Sequence, residues 1–330
     1  MTGEDALGHA MPAAPGGGPS AAQDLAWTNR SPGRSREPSG PVGDPAPGRG
    51  RILWRRLRRT PGALLGLGML TSAITLCLLG PGLGRWAVTD QDIDHLGVPP
   101  GTAGHLLGTD AGGFDLYALL VTGTGRSLLI AGTVGLFTPL LGGVYGATIA
   151  YWGGRRERAG LWLLDMLILM PAFLVAAVVA GASGGSAVVL AVLLTLLGWM
   201  PLARVVRAMT QSLRERDYVR AARYQGVSGA AIIRRHILPN LGSFLVMCVV
   251  LGMSSAIVTE TALSYLGLGV RPPDVSLGQL IGRASDQLAA YPWLFWGPTG
   301  ALIWITLGLA LVGDGVRDAL DPASSAGGPA

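Results

Sequence analysis

Six windows of this chain are apolar over lengths that suit a bilayer: 61–84, 127–152, 159–182, 186–203, 241–267 and 293–313. A hydrocarbon core of roughly 30 Å takes about 20 apolar residues per crossing helix. Within it every backbone N–H and C=O must find a partner inside the protein, which a helix provides. Asp165 interrupts the third window, Glu260 lies inside the fifth, and the sixth carries no charge. Buried core helices of a large soluble protein are the competing reading. They fit poorly, because several runs exceed the roughly 18 residues at which a span becomes the better explanation. Charged residues make up 14% of the chain, against about 25% in a soluble domain. The expectation is an all-α membrane protein with six transmembrane helices.

All 25 basic residues are arginine. Without lysine there is no G-x-x-x-x-G-K-[ST] phosphate loop and no lysine Schiff base, so ATP, if used, is used by another chain. A net charge of +5 could point to nucleic acid. Instead, the arginines flank the apolar windows, as contact with membrane lipid and the positive-inside rule require. Arg49, Arg51, Arg55, Arg56, Arg58 and Arg59 precede the first window, Arg155, Arg156 and Arg158 follow the second, and eight arginines fall within 204–240. The opposite side holds only Arg85, Arg126, Arg271 and Arg283. Both termini are therefore expected in the cytoplasm, with 204–240 as the main cytoplasmic loop and 85–126 outside.

Cys77 and Cys248 sit in apolar runs and read as small buried hydrophobes. His9, His95, His105 and His236 show no metal-ligand spacing, so no metal or cofactor is expected in this chain. Residues 1–50 are rich in Gly, Pro and Ser without apolar period and read as a disordered cytoplasmic tail. No apolar h-region follows the first methionine, so a signal peptide is not expected. Residues 51–322 form the expected six-span domain, and 323–330 a flexible end. Gly142 and Gly146, four residues apart, offer a small-residue face for close helix packing.

The 204–240 loop contains Tyr218-Val-Arg-Ala-Ala-Arg-Tyr-Gln-Gly226 and then Ile237-Leu-Pro-Asn240. A short helix ending near Gly226 is expected, because Gly favours the position after a helix end. Ser228 can cap a second one, with Pro239 and Asn240 marking the start of the fifth span. Tyr218, Ala222 and Gln225 fall at i, i+4 and i+7, with Ala221 adjacent, a spacing that predicts one face open to another surface.

This stretch resembles the EAA loop of bacterial ABC importer permeases. The chain is similar to the dipeptide/oligopeptide/nickel permease family, specifically to the second permease of the pair. Three more stretches carry the resemblance: Gly108-Thr-Asp110 with Gly113, Asp115 and Gly125-Arg-Ser-Leu128; Glu260-Thr-Ala-Leu-Ser-Tyr-Leu-Gly-Leu-Gly269; and Gly313-Asp-Gly-Val-Arg-Asp-Ala-Leu-Asp-Pro322, which contains Asp314, Arg317 and Asp318. Asp165 and Pro171 match an Asp and a Pro of the family's third helix. Arg220 stands where the family usually has Glu, Phe114 where it has Arg, and Ala310 where Asn is common.

The resemblance implies a six-span fold of the type I importer class, a heterodimer with a second permease, and two ATP-binding subunits holding ATP and Mg. It also implies an extracellular substrate-binding protein and a place in the bacterial inner membrane. Residues 218–226, with Tyr218, Arg220, Ala221, Ala222, Gln225 and Gly226, would be the helix that couples ATPase to permease. Glu260 has two readings, a lining residue of the translocation path or a structural hydrogen-bond partner; for Asp165 and Asp314 the structural role is favoured. An ion-coupled secondary transporter would show inverted repeats and several intramembrane titratable groups, and a membrane enzyme a clustered catalytic set. Six spans with one mid-span carboxylate fit the transporter poorly, which stays the alternative reading, and no catalytic set such as H-E-x-x-H or G-x-S-x-G is found for the enzyme. Peptide is the default substrate, with nickel and oligosaccharide as alternatives.

Overall fold

The computed structural model describes residues 57–320 except Arg59. The expected tail over 1–50 and end over 323–330 lie outside the described residues. Ten α-helices are described: α1 Pro61–Leu83, α2 Leu116–Trp152, α3 Gly154–Ile168, α4 Ala172–Ala182, α5 Ala187–Arg214, α6 Asp217–Tyr224, α7 Gly229–Ile232, α8 Leu238–Tyr265, α9 Leu277–Ser285 and α10 Pro292–Leu320. A π-helical turn, Ile233–Ile237, joins α7 to α8. Among the described residues there is no strand, only isolated bridges such as Gln91–Phe114 and Thr109–Asp115.

Five segments are long and apolar enough to cross a membrane: α1, α2, α5, the run Gly229–Tyr265, and α10. The expected third span is broken. Helices α3 and α4 meet at 68° across residues 169–171. Pro171 is the cause: it has no N–H for the helical ladder, and its ring pushes Met170 away from helical geometry. Counted as one bent span, the pair makes six.

Other windows grow. Helix α2 starts at Leu116, eleven residues before its expected window, because the Asp115 carboxylate accepts from Ala118 N at 2.9 Å and caps it. At about 1.5 Å per residue its 37 residues run roughly 55 Å, more than the apolar layer, so its ends project. Helix α5 likewise continues to Arg214, and the fifth span begins with α7 at Gly229.

Helix α2 is the central post. Against α5, a methyl on Gly142 would stand 2.9 Å from Trp199 O, and one on Gly146 would run into Ala203 O. The Gly142–Gly146 face therefore packs as its spacing predicts. On another side Gly135 fits against Val249 and Met253 of α8. Helices α1 and α10 pair separately. A methyl on Gly66 would lie 2.6 Å from Gly308 O, and Trp304 Nε1 donates to Met69 O at 3.0 Å. The outward flank of α1 carries exposed Leu65, Leu78, Leu79 and Leu83. Leucines exposed to this extent are stable only in hydrocarbon or against a partner.

Candidate functional sites at the two ends and in the middle of the bundle

The basic elbow follows α5. After the turn at Glu215 and Arg216, α6 lays Val219 (2% exposed) and Ala222 (7%) onto Tyr151, Val206, Ile232, Ile233, Ile237 and Leu241. The end of α6 is a Schellman motif: Val227 N donates to Ala222 O and Gly226 N to Arg223 O, with Gly226 at φ +79°. Val227 packs against the same cluster. Ser228 Oγ accepts from Ala231 N at 3.4 Å, so both helix-end expectations hold. The face expectation needs correcting at Ala222. Its side chain is covered by this chain's own core, because the amphipathic pattern of α6 turns Val219 and Ala222 inward together. The outward face is Tyr218, Arg220, Ala221, Arg223, Tyr224 and Gln225, with Tyr224 83% exposed. Tyr218 Oη accepts from Asn240 Nδ2 at 3.1 Å, and the Arg223 guanidinium lies 5.6 Å from the Tyr151 ring centre.

Polar contacts seat the base of the elbow. The buried Glu157 carboxylate accepts from Arg207 Nε at 2.5 Å and Gln211 Nε2 at 2.8 Å, tying the start of α3 to α5. Arg214 Nη1 donates to Ala150 O at 3.0 Å, closing the end of α2. Asp165 pairs with Arg204, and both side chains are about half exposed. Sequence reasoning missed Glu157 and the partner of Asp165. The i, i+4 spacing of Arg207 and Gln211 was the available signal for the first.

Glu260 lies in mid-bundle and is 0% exposed. Its Oε2 accepts from Ser127 Oγ of α2 at 3.2 Å and its Oε1 from Ser264 Oγ one turn on at 2.8 Å. Each serine accepts in turn: Ser127 Oγ from Leu277 N, the first residue of α9, at 3.3 Å, and Ser264 Oγ from Val270 N at 3.0 Å. The carboxylate thus sits under the amino end of α9, where partial positive charge and unpaired N–H groups favour an anion. Nearby, Asp274 accepts from Ala187 N at 3.0 Å, capping α5, and its other oxygen pairs with Arg126 at 3.2 Å. The sequence reading passed over both α9 and Asp274.

The motif residues Gly108, Asp110 and Asp115 gather where α2 begins. Gly108 has φ +83°, and a side chain there would strike Val98 O. Its carbonyl accepts from Leu116 N at 3.0 Å. Asp110 Oδ1 accepts from Gly112 N at 2.8 Å and Phe114 N at 2.9 Å, shaping the turn that delivers Asp115 to its cap position. Around it lie Asp92, His95 and His105. Loss of water pushes the Asp92 carboxyl up, but hydrogen bonds from His105, His95 and the Asp94 amide outweigh this and hold it below the usual carboxylate range. At the other end of the bundle, Gly313 faces Val250 of α8. Asp314, Arg317 and Asp318 are exposed along the last turns of α10. Among the described residues no cluster of His, Cys, Asp and Glu has metal-binding geometry.

Bundle, broken helix and elbow together define a multi-pass membrane protein, and comparison with known proteins narrows the class. Residues 140–325 match the family model described as binding-protein-dependent transport system inner membrane component. Residues 48–100 match that of the N-terminal transmembrane domain of oligopeptide transport permease C. The chain is 41% identical over 275 residues to the oligopeptide transport system permease protein OppC of Mycobacterium tuberculosis, covering 83% of this chain and 94% of that protein. It is 35% identical over 268 residues to a putative peptide transport system permease protein of Brucella suis (81% and 90%). To OppC of Bacillus subtilis it is 29% identical over 274 residues (82% and 90%). The chain belongs to the binding-protein-dependent transport system inner membrane component family.

Proposed function

We propose that this chain is one of two permease subunits of an ATP-driven importer for oligopeptides or dipeptides. Residues 51–322 form its membrane domain, and α6 is the element through which separate ATP-binding subunits, holding ATP and Mg, move it. The observation that carries this reading is the construction of α6. Its apolar side is fixed to the ends of α2, α5 and α8, while Tyr224 and Arg220 face outward, exposed in the chain itself. A short helix so seated moves with its bundle as a unit, as a two-state interface element must. The family relationship supplies the other partners: a second permease and a substrate-binding protein on the far side. The peptide reading follows the names of the relatives.

The arginine count supports an orientation with the elbow and both termini in the cytoplasm of a bacterial inner-membrane protein. Since Arg216, Arg220 and Arg223 all lie on or beside α6, the groove receiving it should carry carboxylates where a partner of a Glu-bearing loop would not. Glu260 takes the structural role, clamping α9 between α2 and α8, and Asp165 holds α3 to α5 through Arg204.

The test is substrate-stimulated ATP hydrolysis by the assembled, lipid-reconstituted complex. Tyr224→Asp should reduce stimulation at least about tenfold, as loss of a buried aromatic contact at an interface does, with insertion and thermal stability unchanged. Undiminished stimulation would remove α6 as the coupling element. Uptake of labelled nickel or oligosaccharide in place of peptide would reassign the substrate and leave the coupling reading intact.

A further inference from the structure

We propose that His105 is a proton-binding site whose occupancy latches the 92–115 segment onto the first turn of α2. The imidazole is 0% exposed. Its Nδ1 lies 2.8 Å from Asp115 Oδ1 and its Nε2 3.3 Å from Asp92 Oδ2. An ionised carboxylate only accepts, and a neutral imidazole has one N–H. Both contacts are hydrogen bonds only when the ring carries two protons; otherwise a nitrogen lone pair of the unexposed ring faces an anionic oxygen. Trp86 stacks on the ring at a centroid distance of 4.7 Å, an arrangement that favours a cation over the indole face.

The ionisable surroundings are few. Asp92 and Asp115 touch the ring, His95 Nδ1 reaches it through Asp92 Oδ2 at 2.9 Å, and Arg85 lies beside Gly104. From α10 the segment meets Trp293, whose Nε1 donates to Thr109 O at 3.4 Å. Arg283 and Asp286 line an adjoining cavity of about 370 Å³ together with Asp110. Asp115 joins the two halves of the device: one oxygen holds His105, the other caps α2 at Ala118 N. Losing the proton therefore loosens the helix cap and the turn through Asp110 and Gly112, which forms one wall of that cavity. Strong acid loosens it too, by protonating Asp92 below the usual carboxylate range, so the latch holds over a band of pH. The elbow has no part in this, and the inference stands apart from the coupling role.

Hydrogen exchange of the full chain in lipid nanodiscs tests it, read over 92–118 and corrected for the intrinsic pH dependence of exchange. Protection should fall about tenfold from mildly acidic to alkaline pH, the scale of losing one charge-assisted hydrogen bond. In Asp92→Asn the new carboxamide donates to the Nε2 lone pair of a neutral ring, so both contacts persist without the second proton, and protection should stay high with no step. Wild-type protection that does not change with pH overturns the proposal. So does a wild-type step retained in Asp92→Asn, which would place the titration elsewhere. If Asp92→Asn does not fold, His105→Gln serves instead: it lacks the second ring donor and should exchange fast at every pH, and a retained step in that variant overturns the proposal equally.

Discussion

Glu260 is the residue where burial and charge conflict most directly. A carboxylate deep in an apolar bundle is tolerated here because two serine hydroxyls and the amino end of α9 receive it. Glu260→Ala leaves the Ser127 and Ser264 hydroxyl protons without acceptors in a dry site, at a cost of about 1–3 kcal/mol. Its thermal midpoint in detergent should fall clearly, while Glu260→Gln, which keeps one acceptor, falls less. Equal midpoints for both variants and wild type would remove the clamp. The presence of a costly carboxylate was legible in the sequence, but its partners were not, because Ser127 is 133 positions away. Gly108, Asp110 and Asp115 show the same asymmetry. A family motif marked them, but only the folded turn shows that they shape and cap the start of α2. At Ala222 the residue type misled. A small side chain on a helix face reads as room for a visitor, and here the space is filled by Ile232, Ile237 and Leu241 of the same chain. Tyr224→Asp is therefore the cleaner probe of docking, since Ala222→Asp would bury a charge.

Among the elements, α6 depends most on a single backbone conformation. Gly226 at φ +79° lets the chain leave the helix in a Schellman turn and reach Ser228, the cap of α7, two residues later. Gly226→Ala forces a side chain into the left-handed region, costing about 1–2 kcal/mol. The expected result is a modest fall in thermal midpoint together with weaker substrate stimulation of ATPase; an unchanged midpoint would mean the turn is not strained. Element type was readable throughout the apolar windows, and their boundaries failed for identifiable reasons. Helix α5 runs past its window through the arginine-bearing stretch 204–214, Arg126 cuts the window of α2 off from the apolar turns at 116–121, and Pro171 divides the third window into two. Helix α9, only nine residues long, fell below any span threshold. Its buried Leu277, Leu280, Ile281 and Ala284 repeat at i, i+3, i+4 and i+7 after a capping Ser276, so the amphipathic pattern was there to be found.

For the whole molecule, the sequence separates the arginine-rich end from the end that holds the 84–115 loop, and the folded bundle adds how each is tied in. Helix α2 runs between them, capped by Asp115 at one end and closed by Arg214 at the other. A shift of the elbow therefore has a rigid route to the far side. ATP hydrolysis, on the proposed reading, belongs to a separate subunit docked on α6. The most direct measurement is uptake of labelled peptide into proteoliposomes carrying the chain with its second permease, ATP-binding subunits and binding protein. Accumulation should require ATP and the binding protein together, and Tyr224→Asp should abolish it. Uptake by the purified chain alone, driven by a proton or sodium gradient and indifferent to that substitution, would overturn the assignment.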